Sequence, residues 1–135
     1  MPQPNSYVCG MACVLPGEAS TLEGFWETLR TGRCELRPVP ESKGWKPSQY
    51  GLPPTLKAGF VDTMDRFDEA LFRLSRTEAL EMDPHQRRVI EQVYHALHDA
   101  GIEPRSLSGT NTSVYVGAGI AEHLAMTFGD PEHIT

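Results

Sequence analysis

Apolar and polar positions alternate in two ways along this chain of 135 residues. The first pattern is continuous. Tyr7-Val8-Cys9-Gly10-Met11-Ala12-Cys13-Val14-Leu15 runs without a charge and closes at Pro16-Gly17. A short apolar run bounded by turn residues predicts a strand buried on both faces. Thr112-Ser113-Val114-Tyr115-Val116-Gly117 repeats that pattern near the other end. Gly59-Phe60-Val61 reads as a third, shorter strand. The second pattern is helical. Leu22, Phe25, Trp26 and Leu29 recur at helical intervals after Ser20-Thr21-Leu22-Glu23, a capping-box spacing. Gly32 stands where a left-handed helix cap is expected. Residues 65–72 also read as helical. Ser75-Arg76-Thr77-Glu78 is a second capping box, opening a short helix through Met82. The longest helix is predicted over 84–100. Asp83 would be its N-cap, Pro84 its first residue and Gln86 the return partner of the cap. Val89, Ile90, Val93, Ala96, Leu97 and Ala100 form one apolar stripe on it, and Gly101 ends it. A further helix is expected over Ala121 to Phe128.

Between these elements, residues 35–58 break the pattern. Five of the 11 prolines fall between Pro38 and Pro54, so a long surface loop is expected, with Trp45 and Tyr50 as anchors. A loop of that length in a compact domain is functional or packed on something. The order strand, helix, loop, helices, strand, helix predicts an α/β layer with a mostly parallel sheet. Yet the clear strands ask for cover on both faces, and the chain offers too few elements to provide it.

Composition narrows the function classes. Lys plus Arg is 12 against 18 for Asp plus Glu, a formal charge of −6. Nucleic acid and anionic membranes need clustered cations, so neither is an expected partner. No apolar run reaches the roughly 20 residues that span a bilayer. The opening Met-Pro-Gln-Pro-Asn-Ser has neither the basic nor the apolar region of a signal peptide. With 3 cysteines, a reducing compartment fits better than a disulfide scaffold, and the cytoplasm is the expected location.

The candidate chemistry is sparse. Cys9 and Cys13 have a C-x3-C spacing, but Cys34 and the 5 histidines supply no second pair for zinc. Buried structural thiols are the expected reading. Cys13 precedes a Pro-Gly loop rather than the helix start or histidine that activates a nucleophilic thiol. Gly117-Ala118-Gly119 follows a strand, but a dinucleotide fingerprint needs a third glycine where Glu122 stands. A carboxylate there has the wrong sign for a pyrophosphate. A tight strand-to-helix turn explains these glycines. Glu91, His95 and His98 share a helix face that could meet a metal, or simply face solvent. Asp83-Pro84-His85-Gln86-Arg87 carries charge and a histidine, yet it has the spacing of a helix start. No metal, cofactor or catalytic residue is assigned from these motifs.

Seven segments, in order, resemble the opening of modular polyketide ketosynthases. Gly10 to Gly17 resembles their GMACRFPG, and Phe25 to Arg33 their FWELLRxGR. Val39-Pro40 with Trp45 resembles VPxxRW. Gly59-Phe60-Val61-Asp62 with Asp65-Arg66-Phe67-Asp68 resembles GGFLDDVDRFD. Glu81 to Arg87 resembles AMDPQQR, Ala96 to Gly101 resembles ALEDAG, and Val114 to Gly117 resembles VFVG. The order and spacing agree from Tyr7 to about Gly119. The resemblance is to β-ketoacyl synthases of type I polyketide synthases.

That resemblance implies a thiolase-like αβαβα fold, of which residues 1–135 would be an incomplete N-terminal portion, ending before the active-site cysteine region. It implies decarboxylative Claisen condensation, an acyl transfer on acyl carrier protein, in polyketide or fatty-acid type synthesis. It implies as partners the rest of the ketosynthase domain, an acyl carrier protein with its phosphopantetheine arm, and a second copy in a homodimer. The family's cysteine in a TACSSS elbow and its two later histidines match no residue here. Cys9, Cys13 and Cys34 are therefore not the nucleophile, no catalytic, cofactor or metal residue is carried over, and the chain alone is expected to be inactive. Arg73 and Arg76 stand where the family's FFGISPREA has Gly and Pro, and His85 replaces the first Gln of DPQQR. The alternative is a stand-alone, non-catalytic module that pairs with a ketosynthase or a carrier protein through exposed strand edges or its helical face. Either way the chain alone should be marginally stable, because Val8 to Cys13 and Thr112 to Gly117 lack partner layers.

Overall fold

The computed structural model describes residues 5–17, 19–44 and 46–119. It divides into two units, residues 1–63 and 64–135.

In the first unit, helix α1 spans Leu22–Thr31. Its N-cap is Thr21, whose backbone is extended and whose side chain accepts from the Gly24 amide at 3.1 Å. The cap expected at Ser20 is thus displaced by one residue. Threonine supplies the same hydroxyl acceptor, so the chain enters the helix one position later. Gly32 closes α1 with φ 63°, as its sequence position predicts. Strands β1 (Arg37–Pro38) and β2 (Lys57–Ala58) form a two-stranded antiparallel ribbon, Arg37 opposite Ala58 and Pro38 opposite Lys57. The ribbon lies two residues before the strand expected at Gly59. Gly59 itself lies against Pro16, where an added Cβ would fall 2.7 Å from the proline Cγ.

The ends of the proline-rich loop are therefore paired, and its interior holds two 3-10 turns, Glu41–Lys43 and Pro47–Tyr50. Pro47 is buried, whereas Tyr50 is 70% exposed, so proline rather than tyrosine is the anchor. Trp45 lies outside the described residues. Arg37 fastens the ribbon to the following segment. Its guanidinium reaches Asp62 Oδ1 at 2.5 Å and lies over the Phe60 ring at 5.9 Å. Lys43 Nζ donates to the Val61 carbonyl at 3.4 Å.

In the second unit, helix α2 is Arg76–Glu81 and helix α3 is Pro84–Asp99. The Ser75 capping box forms in both directions, Glu78 amide to Ser75 Oγ and Ser75 amide to Glu78 Oε2. Asp83 caps α3, with Pro84 at its first position, as expected. Asp83 Oδ1 accepts from the His85 amide at 2.7 Å. Residues 65–72 are turns, not the helix that their pattern predicts. Asp68 Oδ1 captures the Leu71 amide at 3.0 Å, and Arg73 takes a left-handed φ of 56°. A side chain that satisfies the amide locally competes with a helical ladder.

The two long apolar runs are the largest departure. Residues 7–15 and 112–117 take no regular element and join no ladder among the described residues, whose only sheet is the β1·β2 ribbon. Tyr7 and Val8 are 78% and 81% exposed, and Tyr115 is 92% exposed. The mostly parallel sheet does not form among the described residues, because a strand's amides and carbonyls are satisfied only by a neighbour. The core is correspondingly small. Among the described residues the buried apolar side chains outside the proline-rich loop are Ala19 and Ala79. The helix expected over Ala121 to Phe128 lies outside the described residues.

Candidate functional site

Helix α3 positions a groove in the second unit. Its stripe runs as the 3.6-residue period dictates, with Val89, Ile90, Ala96, Leu97 and Ala100 half-buried and Val93 exposed. Asp83 is 7% exposed, so its carboxylate is fixed at the helix start, with His85 Nδ1 at 3.0 Å. Arg88 and Glu91 form a largely enclosed ion pair at 2.7 Å. Arg88 also donates to the Arg66 carbonyl, tying α3 to the preceding turns. Phe67 stacks on Phe72 at 5.3 Å, and Phe72 meets the Tyr94 ring edge-on at 6.2 Å. The turn over 67–72 is therefore held on α3 by aromatic contact beside the Arg88 bond to the Arg66 carbonyl.

Beside this face lies a groove of about 1010 Å³. Phe72, Val89, Val93 and Leu97 line it, with Val114 and Val116 from the segment 112–117. Arg73, Glu103 and Arg105 are its charged members. The alternation is that of a strand: Val114 and Val116 address the groove, and Tyr115 between them points away and is exposed. The groove can take up apolar side chains, and it brings no nucleophile, acid–base pair or metal ligand set together.

The motifs singled out in the sequence do not converge. Cys9 and Cys34 are exposed, Cys13 is half-buried with Sγ 3.8 Å from the Ala19 carbonyl, and all three are free thiols. Glu91 is engaged by Arg88, and His95 lies edge-on to Tyr94 at 5.9 Å, so the supposed metal face is split. Among the described residues no group of three His, Cys, Asp or Glu side chains could hold a metal ion. Gly117 and Gly119 border open space, and Glu122 lies outside the described residues. The apolar pattern predicts no element for the turn over Glu103 to Ser108. That turn, a 3-10 helix over Pro104–Leu107, closes one side of the groove. Pro104 at its first position was the available signal.

The family of the β-ketoacyl synthase N-terminal domain matches residues 7–133. The chain belongs to the β-ketoacyl synthases. Its curated relatives are polyketide synthases. It is 35% identical over 122 residues to the spectinabilin polyketide synthase system protein NorA of Streptomyces orinoci, covering 86% of this chain and 6% of that one. It is 38% identical over 118 residues to the erythronolide synthase EryA2 of Saccharopolyspora erythraea, covering 82% and 3%. It is 34% identical to the 6-methylsalicylic acid synthase of Aspergillus niger over 131 residues, covering 91% and 7%. Among solved structures it resembles the ketosynthase from module 6 of the bacillaene synthase of Bacillus subtilis 168. That match has a TM-score of 0.78 at 30% identity over 90% of this chain and 21% of the other. The chain thus has the fold of the N-terminal part of a ketosynthase, as the family motifs imply. It spans only a small fraction of the proteins it matches. No described helix is long and apolar enough to cross a membrane.

Proposed function

We propose that this chain supplies the N-terminal part of a polyketide-type β-ketoacyl synthase, an acyltransferase that lengthens a chain by decarboxylative condensation. The carrying observation is the family match, which spans residues 7–133. In that reaction an acyl group is held as a cysteine thioester. A malonyl-type extender loses carbon dioxide, and the electron pair released forms the new C–C bond to the acyl carbonyl. The C–S bond breaks and the cysteine leaves as thiolate. The extender would be carried on the phosphopantetheine arm of an acyl carrier protein, and the enzyme would work as a homodimer in the cytoplasm.

The role of this chain's residues in that enzyme is architectural. Asp83 and Ser75 start the helices, Arg37 and Lys43 hold the proline-rich loop, and α3 presents its apolar stripe. No residue here is assigned to the thioester or to the carrier arm, because covalent catalysis needs the nucleophile that the family places later. The test is a condensation assay with acyl and malonyl carrier-protein substrates. The chain alone should give no product. The chain joined in frame to the remainder of a ketosynthase should give β-ketoacyl product. Product from the purified chain alone would overturn the reading.

A second reading is favoured by one observation, the exposure of Val114, Tyr115 and Val116. In it the chain is a non-catalytic module that pairs with a separate ketosynthase. Stoichiometric co-purification with an intact ketosynthase, without activity of its own, would favour that reading.

A further inference from the structure

Two arginines line the groove of the second unit, Arg73 from the turn before α2 and Arg105 from the 3-10 turn after α3. Other arginines of this unit are spent in pairs: Arg76 lies 3.3 Å from Glu69, and Arg88 lies 2.7 Å from Glu91. Arg73 and Arg105 form no ion pair among the described residues. With Glu103 as the third charged member, the groove carries an excess of positive charge in a chain of formal charge −6.

Arg73 also holds a left-handed φ of 56°, the one non-glycine residue among the described residues to do so. The turn around it closes through backbone alone. The Arg73 amide donates to the Ala70 carbonyl at 3.1 Å, and the Leu74 amide to the Glu69 carbonyl at 2.9 Å. Glycine would close the same turn without strain. Strain that the turn does not need points to a use for the side chain. A guanidinium offers a planar fork that grips a carboxylate through two parallel N–H···O bonds. The rest of the wall is apolar and follows one helix, from Val89 through Val93 to Leu97. Its volume of about 1010 Å³ is at the top of the range, roughly 300–1,000 Å³, that takes a small ligand. An excess of one positive charge suits a monoanion.

We propose that the groove binds a monocarboxylate with an unbranched aliphatic body, a medium-chain fatty acid. Arg73 and Arg105 hold the carboxylate, and the chain lies along the stripe of α3. The proposal goes beyond the condensation reading and does not depend on it, since it uses no thioester, carrier arm or nucleophile.

The test is a titration of the isotope-labelled chain with decanoate below its micelle concentration, read by amide chemical shifts. The amides of Arg73, Val93, Arg105 and Val116 should move together and saturate at one equivalent. Decanol, with the same body and no charge, should bind about tenfold more weakly, and decylammonium more weakly still. Arg73→Gly should weaken decanoate binding by about tenfold. Because it also relieves the strained backbone, that loss cannot be laid to unfolding. Arg105→Gln should weaken binding in the same direction. Arg30→Gln, on α1 and paired with Glu27, should leave it unchanged. Three results would overturn the proposal: decanoate bound as tightly by Arg73→Gly and Arg105→Gln as by the unaltered chain, decanol bound as tightly as decanoate, or shifts spread over the exposed apolar residues of both units without saturation. Condensation by the joined protein bears on the other reading alone.

Discussion

Helix α3 and the segment 112–117 lie in the same unit and are both rich in apolar side chains, yet one is a finished element and the other is not. The difference is where their hydrogen bonds go. Helix α3 satisfies its backbone within its own 16 residues, and Asp83 takes one of the amides left over at its start. The segment 112–117 can satisfy its backbone only through a partner. Its valines can lie on α3, but its amides cannot. A helix is thus local information, and a strand is a promise kept elsewhere in the chain. The same contrast holds inside the first unit, between α1 and the exposed run from Tyr7.

The comparison can be broken from the helical side. Asp83→Ala removes a buried cap and should have the largest effect, a loss of about 1–2 kcal/mol. Urea unfolding followed by circular dichroism at a helix wavelength reads it. The exchange rates of residues 113–117 should not change, since that segment owes nothing to the helix start. Arg73→Gly works in the other direction. Arg73 pays for a left-handed φ of 56°, and glycine relieves that strain, so a gain of about 0.5–1 kcal/mol is expected in the same assay. A loss instead would mean that the arginine side chain contributes more than the strain removes. Thr21→Ala should weaken α1 by about 0.5–1 kcal/mol, whereas Ser20→Ala should be close to neutral, because the cap is Thr21.

The smallest effect is a pH dependence. The Ser75 amide, and secondarily its hydroxyl, hold the Glu78 carboxyl below its ordinary value. A carboxyl whose value is lowered by folding stabilises above its unfolded value and loses that contribution as pH falls through the folded one. Acid titration of α2 should therefore show the helix start loosening at the low end of the glutamate range. Glu78→Gln should flatten that titration while leaving α3 unchanged.

The sequence announced the helices well because their signals are local. Ser75 with Glu78, Asp83 with Pro84, and Gly32 each act within a turn of the element that they punctuate. The errors are also local in origin. Ser20 and Thr21 offer the same hydroxyl, and pattern alone does not choose between them. Residues 65–72 have helical spacing, but Asp68 diverts the Leu71 amide and Arg73 turns the chain. The ribbon fell at Lys57–Ala58 rather than Gly59 because pairing with Arg37–Pro38 is a long-range choice. The apolar runs were legible as strand material, and the shortage of covering elements was legible too. The groove was not, since Val114 and Val93 are far apart in sequence and line one groove only in the folded unit.

The central contrast is between helices that are locally complete and apolar runs that join no ladder among the described residues. Differential scanning calorimetry of the purified chain alone tests it most directly. The account predicts a broad transition with an enthalpy well below the roughly 0.7 kcal/mol per residue of a packed globular domain. A sharp, two-state transition of a monomer at that full enthalpy would contradict it, because the chain would then hold a core that needs no partner.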